Sequence, residues 1–328
     1  MTDPIMRFRG FINSLALLAI WLYGHPALAQ DFPVRPLRLV TIFAPGAAAD
    51  QHARYIAARF SEQLSQQVIV DNKPGAGGLI GTREALRSQP VGYTLLLTNP
   101  SFVGNTFAYK DAGYRLDDFA TVGVVGQTYY GMMVHASVPG KTLAEFVVYA
   151  KANPGKLNYG RLGPAAGSAF SAERFKQAAG VDMMAISYKG GESTTVAMLS
   201  GEIQVYFATL SSVKPRLQNP QIKVFGITAP QRSSQLPDVP TFKDLGYPTV
   251  LASNWNAVMV PSVTPPSILR RLREVYVRAA ATPEMKATME GQAYEPWSGT
   301  LEQFAASMRA EAVQLAEDYR RLNIQAMD

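Results

Sequence analysis

Hydrophobic positions along this chain change repeatedly between two spacings. Leu37 to Phe43 is a short apolar run, as a buried strand requires. From Ala49 onward, apolar residues recur every three or four positions, as they do on one face of a helix. The same change of spacing returns along the chain, so we predict alternating strands and helices. This alternation is typical of a parallel sheet with helices on both faces.

The predicted elements form two units followed by a helical end. The first unit has strands over 37–43, 67–71 and 93–98, with helices from 49 and over 78–87. The second has helices over 143–152, 168–179 and 193–199, with strands over 157–159, 184–187, 203–208 and 223–228. Three final helices are predicted over 266–280, 283–290 and 301–322.

Extended apolar segments at 121–127, 130–135 and 252–260 connect the two units. We therefore expect lobe 1 to comprise 30–127 and 252–328, and lobe 2 to comprise 128–251, joined by two strand-like crossings. Ligands of open parallel sheets bind beyond the carboxyl ends of the strands. Glycine-rich turns follow these strands, so the sequence predicts a cleft between two hinged lobes.

The N-terminal segment has the layout of a secretory signal peptide. Arg7 and Arg9 precede an apolar run, and Ala27-Leu28-Ala29 supplies small residues at the cleavage positions. We predict a signal peptide over 1–29, cleavage after Ala29 and a periplasmic mature protein.

Composition narrows the function without deciding it. Hydrophobic residues make up 47% of the 328 residues, enough for a sizeable core, and the formal net charge is +6. The basic residues are scattered rather than clustered, which argues against a nucleic-acid-binding protein. The chain contains no cysteine, so neither a disulfide framework nor a thiolate metal site is possible.

The loop Phe43-Ala44-Pro45-Gly46-Ala47-Ala48-Ala49-Asp50 is the first candidate binding element. It joins a predicted strand to a predicted helix, and its side chains are small. The unpaired N–H groups and the positive dipole end of a helix start attract anions. An ordinary strand-to-helix turn, with Asp50 stabilising the dipole, is the alternative interpretation.

Enzyme motifs are missing from the sequence. There is no nucleophile elbow, zinc-protease motif or Walker phosphate loop, and we interpret His52 and His135 as surface residues. The best rival is a dinucleotide site over Gly75–Gly81, but Ile80 occupies the position of the third glycine in that fingerprint. We therefore expect no enzyme, no cofactor and no metal site.

Six motifs occur in a fixed order: FAPGAAAD at 43–50, NKPGAGG at 72–78, GYTLL at 92–96, KLNYG at 156–160, YKGG at 188–191 and LPDVPT at 236–241. From Phe32 to the C-terminus, this series resembles the Bug family, the TctC-like periplasmic receptors of tripartite tricarboxylate transporters. The resemblance implies a two-lobed α/β fold of the type II periplasmic-binding-protein class, the venus flytrap. It also implies that the closed form is presented to a membrane transporter. We expect a monomer.

The expected mechanism is non-covalent capture of a small dicarboxylate, tricarboxylate, amino acid or aromatic acid. Asp50 could order water or a ligand amino group, and Tyr188 would line one side of the cleft. The expected lobe 1 contacts are the 44–48 loop (Ala44, Pro45, Gly46, Ala47, Ala48) with Asn99 and Ser101, and those of lobe 2 are Arg161, Gly163 and Ser168. A sensory receptor that passes its ligand to a signalling protein remains an open alternative.

The chain departs from the apparent family pattern at several positions. Arg161 stands where the family typically has a serine, and Ala208 and Thr209 stand where an acidic or amide residue is frequent. The resemblance places Ala208 among the expected site residues. Arg161, if it faces the cleft, could form a bidentate bond to a carboxylate. The alternative interpretation of Arg161 is a solvent-exposed side chain.

Overall fold

Strands and helices alternate as the hydrophobic pattern predicts. A computed structural model describes residues 32–162, 166–321 and 325–328. The strands are β1 (Leu37–Thr41), β2 (Val68–Asn72), β3 (Thr94–Thr98), β4 (Phe119–His135), β5 (Asn158–Arg161), β6 (Met184–Ser187), β7 (Val205–Thr209), β8 (Ile222–Ile227) and β9 (Ser253–Pro261). The helices are α1 (Ala48–Leu64), α2 (Leu79–Arg87), α3 (Ser101–Ala108), α4 (Leu143–Ala152), α5 (Gly167–Ala179), α6 (Gly191–Leu199), α7 (Leu210–Val213), α8 (Pro266–Ala280), α9 (Pro283–Gly291) and α10 (Leu301–Arg321).

Three elements differ from the sequence-based expectation, and one of them is the short helix α7, which was not predicted. Helix α3 was not predicted, because its residues SFVGNTFA show no helical face and contain a glycine. The two extended runs at 121–127 and 130–135 are one continuous strand, β4, of 17 residues. The predicted signal peptide lies outside the described residues. Within the described part of the chain, no helix combines the length and apolarity needed to cross a bilayer.

The sheet is mixed rather than wholly parallel. Its strand order is β2-β1-β3-β9-β4-β7-β5-β6, with β8 also paired to β4. Strand β1 is parallel to β2 and β3, and β5 is parallel to β6 and β7. By contrast, β9 is antiparallel to β3 and β4, and β4 is antiparallel to β7 and β8. The long central strands carry the chain between the halves of the sheet, and this reverses their direction relative to their neighbours.

Strand β4 belongs to both halves of the sheet. Its first part pairs with β9, and its last part, from Tyr130 to His135, pairs with β7 and β8. Separate apolar clusters lie on the two sides: one includes Phe102 and Phe304, and another includes Phe175 and Phe207. This is the expected two-lobed periplasmic-binding-protein fold. The exact lobe boundaries at 127/128 and 251/252 stay a prediction.

We call residues 127–130 of β4 and 253–256 of β9 the hinge ribbon. Gln127 lies opposite Trp255, and Tyr129 lies opposite Ser253. Directly opposed residues of antiparallel strands point to the same face, and successive residues alternate between faces. The ribbon therefore presents one set of side chains to each of two cavities.

Candidate functional site

One cavity, here called the front cleft, lies on the Tyr130 and Asn254 face of the hinge ribbon. Its volume is about 510 Å³. Loops from both lobes line it, and every one of them lies at the end of a strand. The lining residues are Ile42, Phe43, Ala44, Pro74, Gly75, Ala76, Gly77, Gly78, Asn99, Pro100, Ser101, Asn105, Tyr109, Tyr130, Leu162, Ala166, Gly167, Ser168, Lys189, Gly190, Thr209 and Asn254.

Five helices begin beside this cleft. Helices α2, α3 and α5 begin at or directly after a lining residue, and so does α6, which follows Gly190. Helix α1 begins four residues after Ala44, which also lines the cleft. Each helix start directs backbone N–H groups and the positive end of its dipole outward. The arrangement favours an anionic ligand.

The loop between β1 and α1 contributes less to the lining than the sequence suggested. Ala44 lines the cleft, whereas Pro45, Gly46, Ala47 and Ala48 are outside the set of lining residues. The N–H of Ala47 donates to the carbonyl of Ala44 at 3.2 Å, so it is already engaged.

Asp50 stabilises the loop between β1 and α1. Its carboxylate is buried and accepts hydrogen bonds from Gly46 N and Arg54 Nε, both at 2.9 Å, and from Asn72 Nδ2 at 2.7 Å. Burial alone would raise the pKa of Asp50, but the bonds from Asn72, Gly46 and Arg54 bring the net pKa below its ordinary value. The carboxylate holds the loop in place. Asp50 is outside the described lining of the front cleft, and its contact with water or a ligand amino group stays a prediction.

Asn99 and Ser101 lie together at the start of α3 and line the cleft. The side-chain oxygen of Asn99 accepts from the backbone N–H of Ser101 at 3.0 Å and from its hydroxyl at 2.5 Å. Among the described residues, the amide nitrogen of Asn99 has no hydrogen-bond partner, so it is available as a donor to a ligand.

Ser168 is the clearest polar contact from lobe 2. It is 2% exposed and lines the cleft, and its hydroxyl has no partner among the described residues. A buried hydroxyl without a partner carries a free-energy cost that a ligand acceptor would remove. The preceding residue must be glycine, because a Cβ at Gly167 would lie 2.4 Å from the hydroxyl oxygen of Tyr130. Gly163 lies outside the described residues.

Three other expected contacts are placed elsewhere. The guanidinium of Arg161 donates from Nε to the hydroxyl of Ser187 at 3.0 Å, on the exposed side of β5, and the cleft is lined by Leu162 instead. The Tyr188 hydroxyl donates to Glu202 at 2.6 Å. Ala208 is fully buried in the core beneath β7, while its neighbour Thr209 reaches the cleft. Successive side chains along an extended chain point to opposite sides, so Leu162 after Arg161 and Thr209 after Ala208 reach the cleft instead.

The sequence analysis missed several lining residues. The loop 74–78, considered above only as a dinucleotide site, lines the cleft, and its position after a strand was the signal that could have revealed it. Asn105, Tyr130 and Asn254 lie inside a helix or strand and carry no local signal. Lys189 is exposed and is the one charged residue among the described lining residues.

The two histidines of the described chain do not form a catalytic group. His52 is fully buried, not on the surface as expected, and its Nδ1 accepts from Asn256 Nδ2 at 3.1 Å. Burial lowers the pKa of His52 to about 4, so the ring is neutral at physiological pH. His135 contacts Ser137 at the end of β4. Among the described residues, no cluster of His, Asp or Glu has the arrangement of a metal site.

Comparison with known proteins decides the family. The family model described as "Tripartite tricarboxylate transporter family receptor" matches residues 52–318. The chain belongs to this receptor family. A UPF0065 protein of Cupriavidus necator is 32% identical over 292 residues, covering 88% of this chain and 89% of the relative.

Solved structures agree with this assignment to the tripartite tricarboxylate transporter receptors. The periplasmic binding protein BugD has a TM-score of 0.78 and 26% identity, with 90% of this chain and all of that chain covered (100%). R. palustris Rpa4515, solved with adipate, has a TM-score of 0.81 and 27% identity, with 90% and 100% coverage. The resemblance to Bug receptors is confirmed, and the family consists of periplasmic solute-binding receptors rather than enzymes.

Proposed function

We propose that this receptor captures a small carboxylate in the front cleft and presents it to a membrane transporter of the tripartite tricarboxylate type. The observation that carries the proposal is the polarity of the cleft. Its described lining contains one cation, Lys189, and no acidic side chain, and five helices begin around it. The positive electrostatic potential from Lys189 and the helix starts favours an anionic ligand.

Hydrogen-bond donors on both sides of the cleft support a carboxylate in particular. On the lobe 1 side, the amide nitrogen of Asn99 is available. On the lobe 2 side, the hydroxyl of Ser168 is available, and the backbone N–H groups of Gly167 and Ser168 have no acceptor among the described residues. A carboxylate has two oxygens and about four acceptor positions, so one group can accept from both lobes. A ligand held in this way stabilises the closed arrangement over the open one.

The relative solved with adipate shows that this family accommodates a dicarboxylate. A cavity of about 510 Å³ is large enough for such a molecule. We therefore place linear dicarboxylates first among the candidate ligands of this chain. The uncharged loop 74–78, which lines the cleft, is suited to contacts with ligand oxygens through backbone groups.

The proposal also includes the periplasmic location of the protein and the release of its ligand unchanged. We infer export, cleavage after Ala29 and a mature chain beginning at Gln30. Mass spectrometry of the periplasmic fraction tests this, and an intact chain beginning at Met1 in the cytoplasm would contradict it. A receptor must also return its ligand unchanged, so a mass balance of bound and released ligand tests for turnover.

The binding experiment is a calorimetric titration of the mature protein with adipate and with adipamide. The two ligands have the same carbon chain, but adipamide lacks the negative charges. We expect binding of dicarboxylates with one-to-one stoichiometry and no binding of the diamide. Ligand should stabilise the protein by about 2.7 kcal/mol at a hundredfold excess over Kd.

Equal binding of the diamide, or binding of no acid in a panel of dicarboxylates, tricarboxylates, amino acids and aromatic acids, would contradict the proposal. Transport is separated from sensing by uptake of labelled ligand in cells. Uptake that depends on this receptor supports a transporter. A ligand-dependent transcriptional response without uptake supports the sensory alternative.

A further inference from the structure

A second cavity, here called the back cavity, lies on the opposite face of the hinge ribbon. Its volume is about 380 Å³. It is bounded by Gln127, Tyr129 and Trp255 of the ribbon, by α5 of lobe 2 and by α10 of lobe 1. The cleft in which the carboxylate is proposed to bind lies on the other side of the same strands. The two cavities adjoin at Pro100 and Gly167, but their other lining residues differ.

The walls of the back cavity are aromatic. Trp255, Trp297, Phe170 and Tyr129 all line it. Both tryptophan rings are fixed by Phe304, with centroid distances of 4.9 and 5.5 Å. Aromatic faces bind the apolar part of a ligand and also attract organic cations through their negative faces.

One carboxyl group lies among these rings. Glu311 of α10 lines the cavity, and its Oε2 accepts a hydrogen bond from Trp255 Nε1 at 3.2 Å. Within the described chain, Glu311 has no ion-pair partner. A carboxylate in such surroundings gains from a cation that reaches it.

Arg174 is the other charged residue of the lining, and its guanidinium is paired with a buried carboxylate. Its Nε and Nη2 bond the buried carboxylate of Asp318 at 2.8 and 2.7 Å, and its Nη1 donates to the carbonyl of Leu251. Asp318 also pairs with the half-exposed Arg321 at 2.8 Å. Three of the five N–H donors of Arg174 are thus committed and its charge is compensated by Asp318, whereas Glu311 has no ion-pair partner among the described residues.

We propose that the back cavity binds a small organic ammonium ion, with the ammonium group against Glu311 and the hydrocarbon body between Trp255 and Trp297. This site differs in chemistry from the carboxylate site, which it adjoins at Pro100 and Gly167. It lies between helices of different lobes, so its occupant contacts both lobes beside the hinge.

Tryptophan fluorescence reports on this site directly. The chain has three tryptophans, of which Trp21 precedes the proposed cleavage position, and the other two both line the back cavity. The probe is 2-phenylethylammonium. The comparison compounds are phenylacetate, which carries the opposite charge, and 2-phenylethanol, which carries none. We expect a saturable fluorescence change with the ammonium ion and none with phenylacetate.

The matched variants are Glu311→Gln and Glu317→Gln, both on α10. Glu317 is exposed and outside the lining of the cavity. Glu311→Gln should weaken binding of 2-phenylethylammonium by roughly tenfold or more, and Glu317→Gln should leave it unchanged. Circular dichroism and titration with adipate verify the fold and the front cleft of each variant.

Absence of a saturable response at millimolar 2-phenylethylammonium would overturn the proposal. So would equal affinity for phenylacetate in the wild type, or full affinity in Glu311→Gln. If Glu311→Gln does not fold, the selectivity of the wild type among the three compounds decides. Failure of adipate to bind would count against the carboxylate receptor alone, because the two ligands are titrated separately.

Discussion

The two faces of the hinge ribbon differ in how they are built. The front cleft is surrounded by helix starts and small residues, and Lys189 is the charged residue of its described lining. The back cavity is surrounded by the sides of helices α5 and α10, by aromatic rings and by the charged residues Arg174 and Glu311. The same two strands serve both, because successive residues of a strand face opposite sides.

This difference explains which ligand each face suits. At the front, backbone N–H groups provide the binding potential, so an anion is favoured whatever small side chains the loops carry. At the back, side chains provide it, and the uncommitted group is a carboxyl. Backbone recognition tolerates substitution in the loops, whereas recognition by Glu311 depends on a single residue.

Loss of the ion pair between Arg174 and Asp318 has the largest expected effect on stability, and it concerns the back face alone. Arg174→Met should lower the free energy of unfolding by about 3 kcal/mol, because it leaves a buried carboxylate with Arg321 as its remaining ion-pair partner. Urea unfolding measures this. Binding of adipate at the front should persist in the folded variant.

Arg309→Met is the matched control for this substitution. Arg309 pairs with Asp117 at 3.1 Å, and both side chains are more than half exposed. Its loss should cost less than about 1 kcal/mol, since water screens an exposed pair. Equal destabilisation by the two substitutions would mean that the Arg174–Asp318 pair between α5 and α10 contributes no more to the free energy of unfolding than an exposed pair.

The pH dependence of stability is the second expected effect. It depends on the fully buried His52 and the partly buried Glu311, whose contributions to stability change with pH in opposite directions. Burial raises the pKa of Glu311 to about 7, although the bond from Trp255 and the charge of Arg174 partly offset it. Its contribution to stability is present below about pH 4.5 and is lost as pH rises through 7. Burial lowers the pKa of His52 to about 4, so its contribution is present above about pH 6.5 and is lost as pH falls through 4.

Between pH 4.5 and 6.5 these two contributions oppose each other, and each reaches about 3 kcal/mol at 1.36 kcal/mol per pKa unit. Relative to the wild type, Glu311→Gln should therefore gain stability as pH rises. His52→Gln should lose stability over the same range. Urea unfolding of the three proteins at several pH values gives these differences directly, and parallel profiles would contradict both pKa shifts.

Local signals explain how much of the fold the sequence predicted. The bounds of α4 and α8 agree with the prediction, because Thr142 caps the first helix and Pro266 begins the second. The antiparallel direction of β9 was not predicted, since strand pairing depends on contacts distant in sequence. Helix α3 was missed for want of a periodic apolar face.

The candidate site was predictable to the same extent. Ala44, Asn99, Ser101 and Ser168 line the front cleft, and the sequence indicated them because turns of small residues after strands mark a ligand edge. Burial, in contrast, comes from tertiary packing. For this reason His52 was wrongly placed on the surface, and the back cavity, whose walls come from distant segments, gave no signal in the sequence.

Ser168→Ala changes the front face alone and has the third largest expected effect. The variant loses a hydroxyl that can donate to a ligand carboxylate, and such bonds contribute roughly 1.5–3 kcal/mol. Adipate binding should weaken by about tenfold or more, as measured by calorimetry. Ser171→Ala is the control on the same helix, because the Ser171 hydroxyl already bonds the carbonyl of Gly167 at 2.7 Å. Equal affinity in both variants would remove Ser168 from the site.

Arg161→Ala should have the smallest effect, because this side chain faces neither cavity. Its Nε bonds Ser187 on the exposed side of β5, and an exposed hydrogen bond contributes little to stability or binding. Affinity for adipate and for 2-phenylethylammonium should each stay within about twofold of the wild type. A tenfold loss of adipate affinity would instead mean that the guanidinium turns into the cleft when ligand binds. In that case Arg161→Lys should restore only part of the affinity, because an ammonium group cannot form the two parallel bonds of a guanidinium. Calorimetry on the two variants therefore distinguishes a surface arginine from one that completes the front cleft on closure.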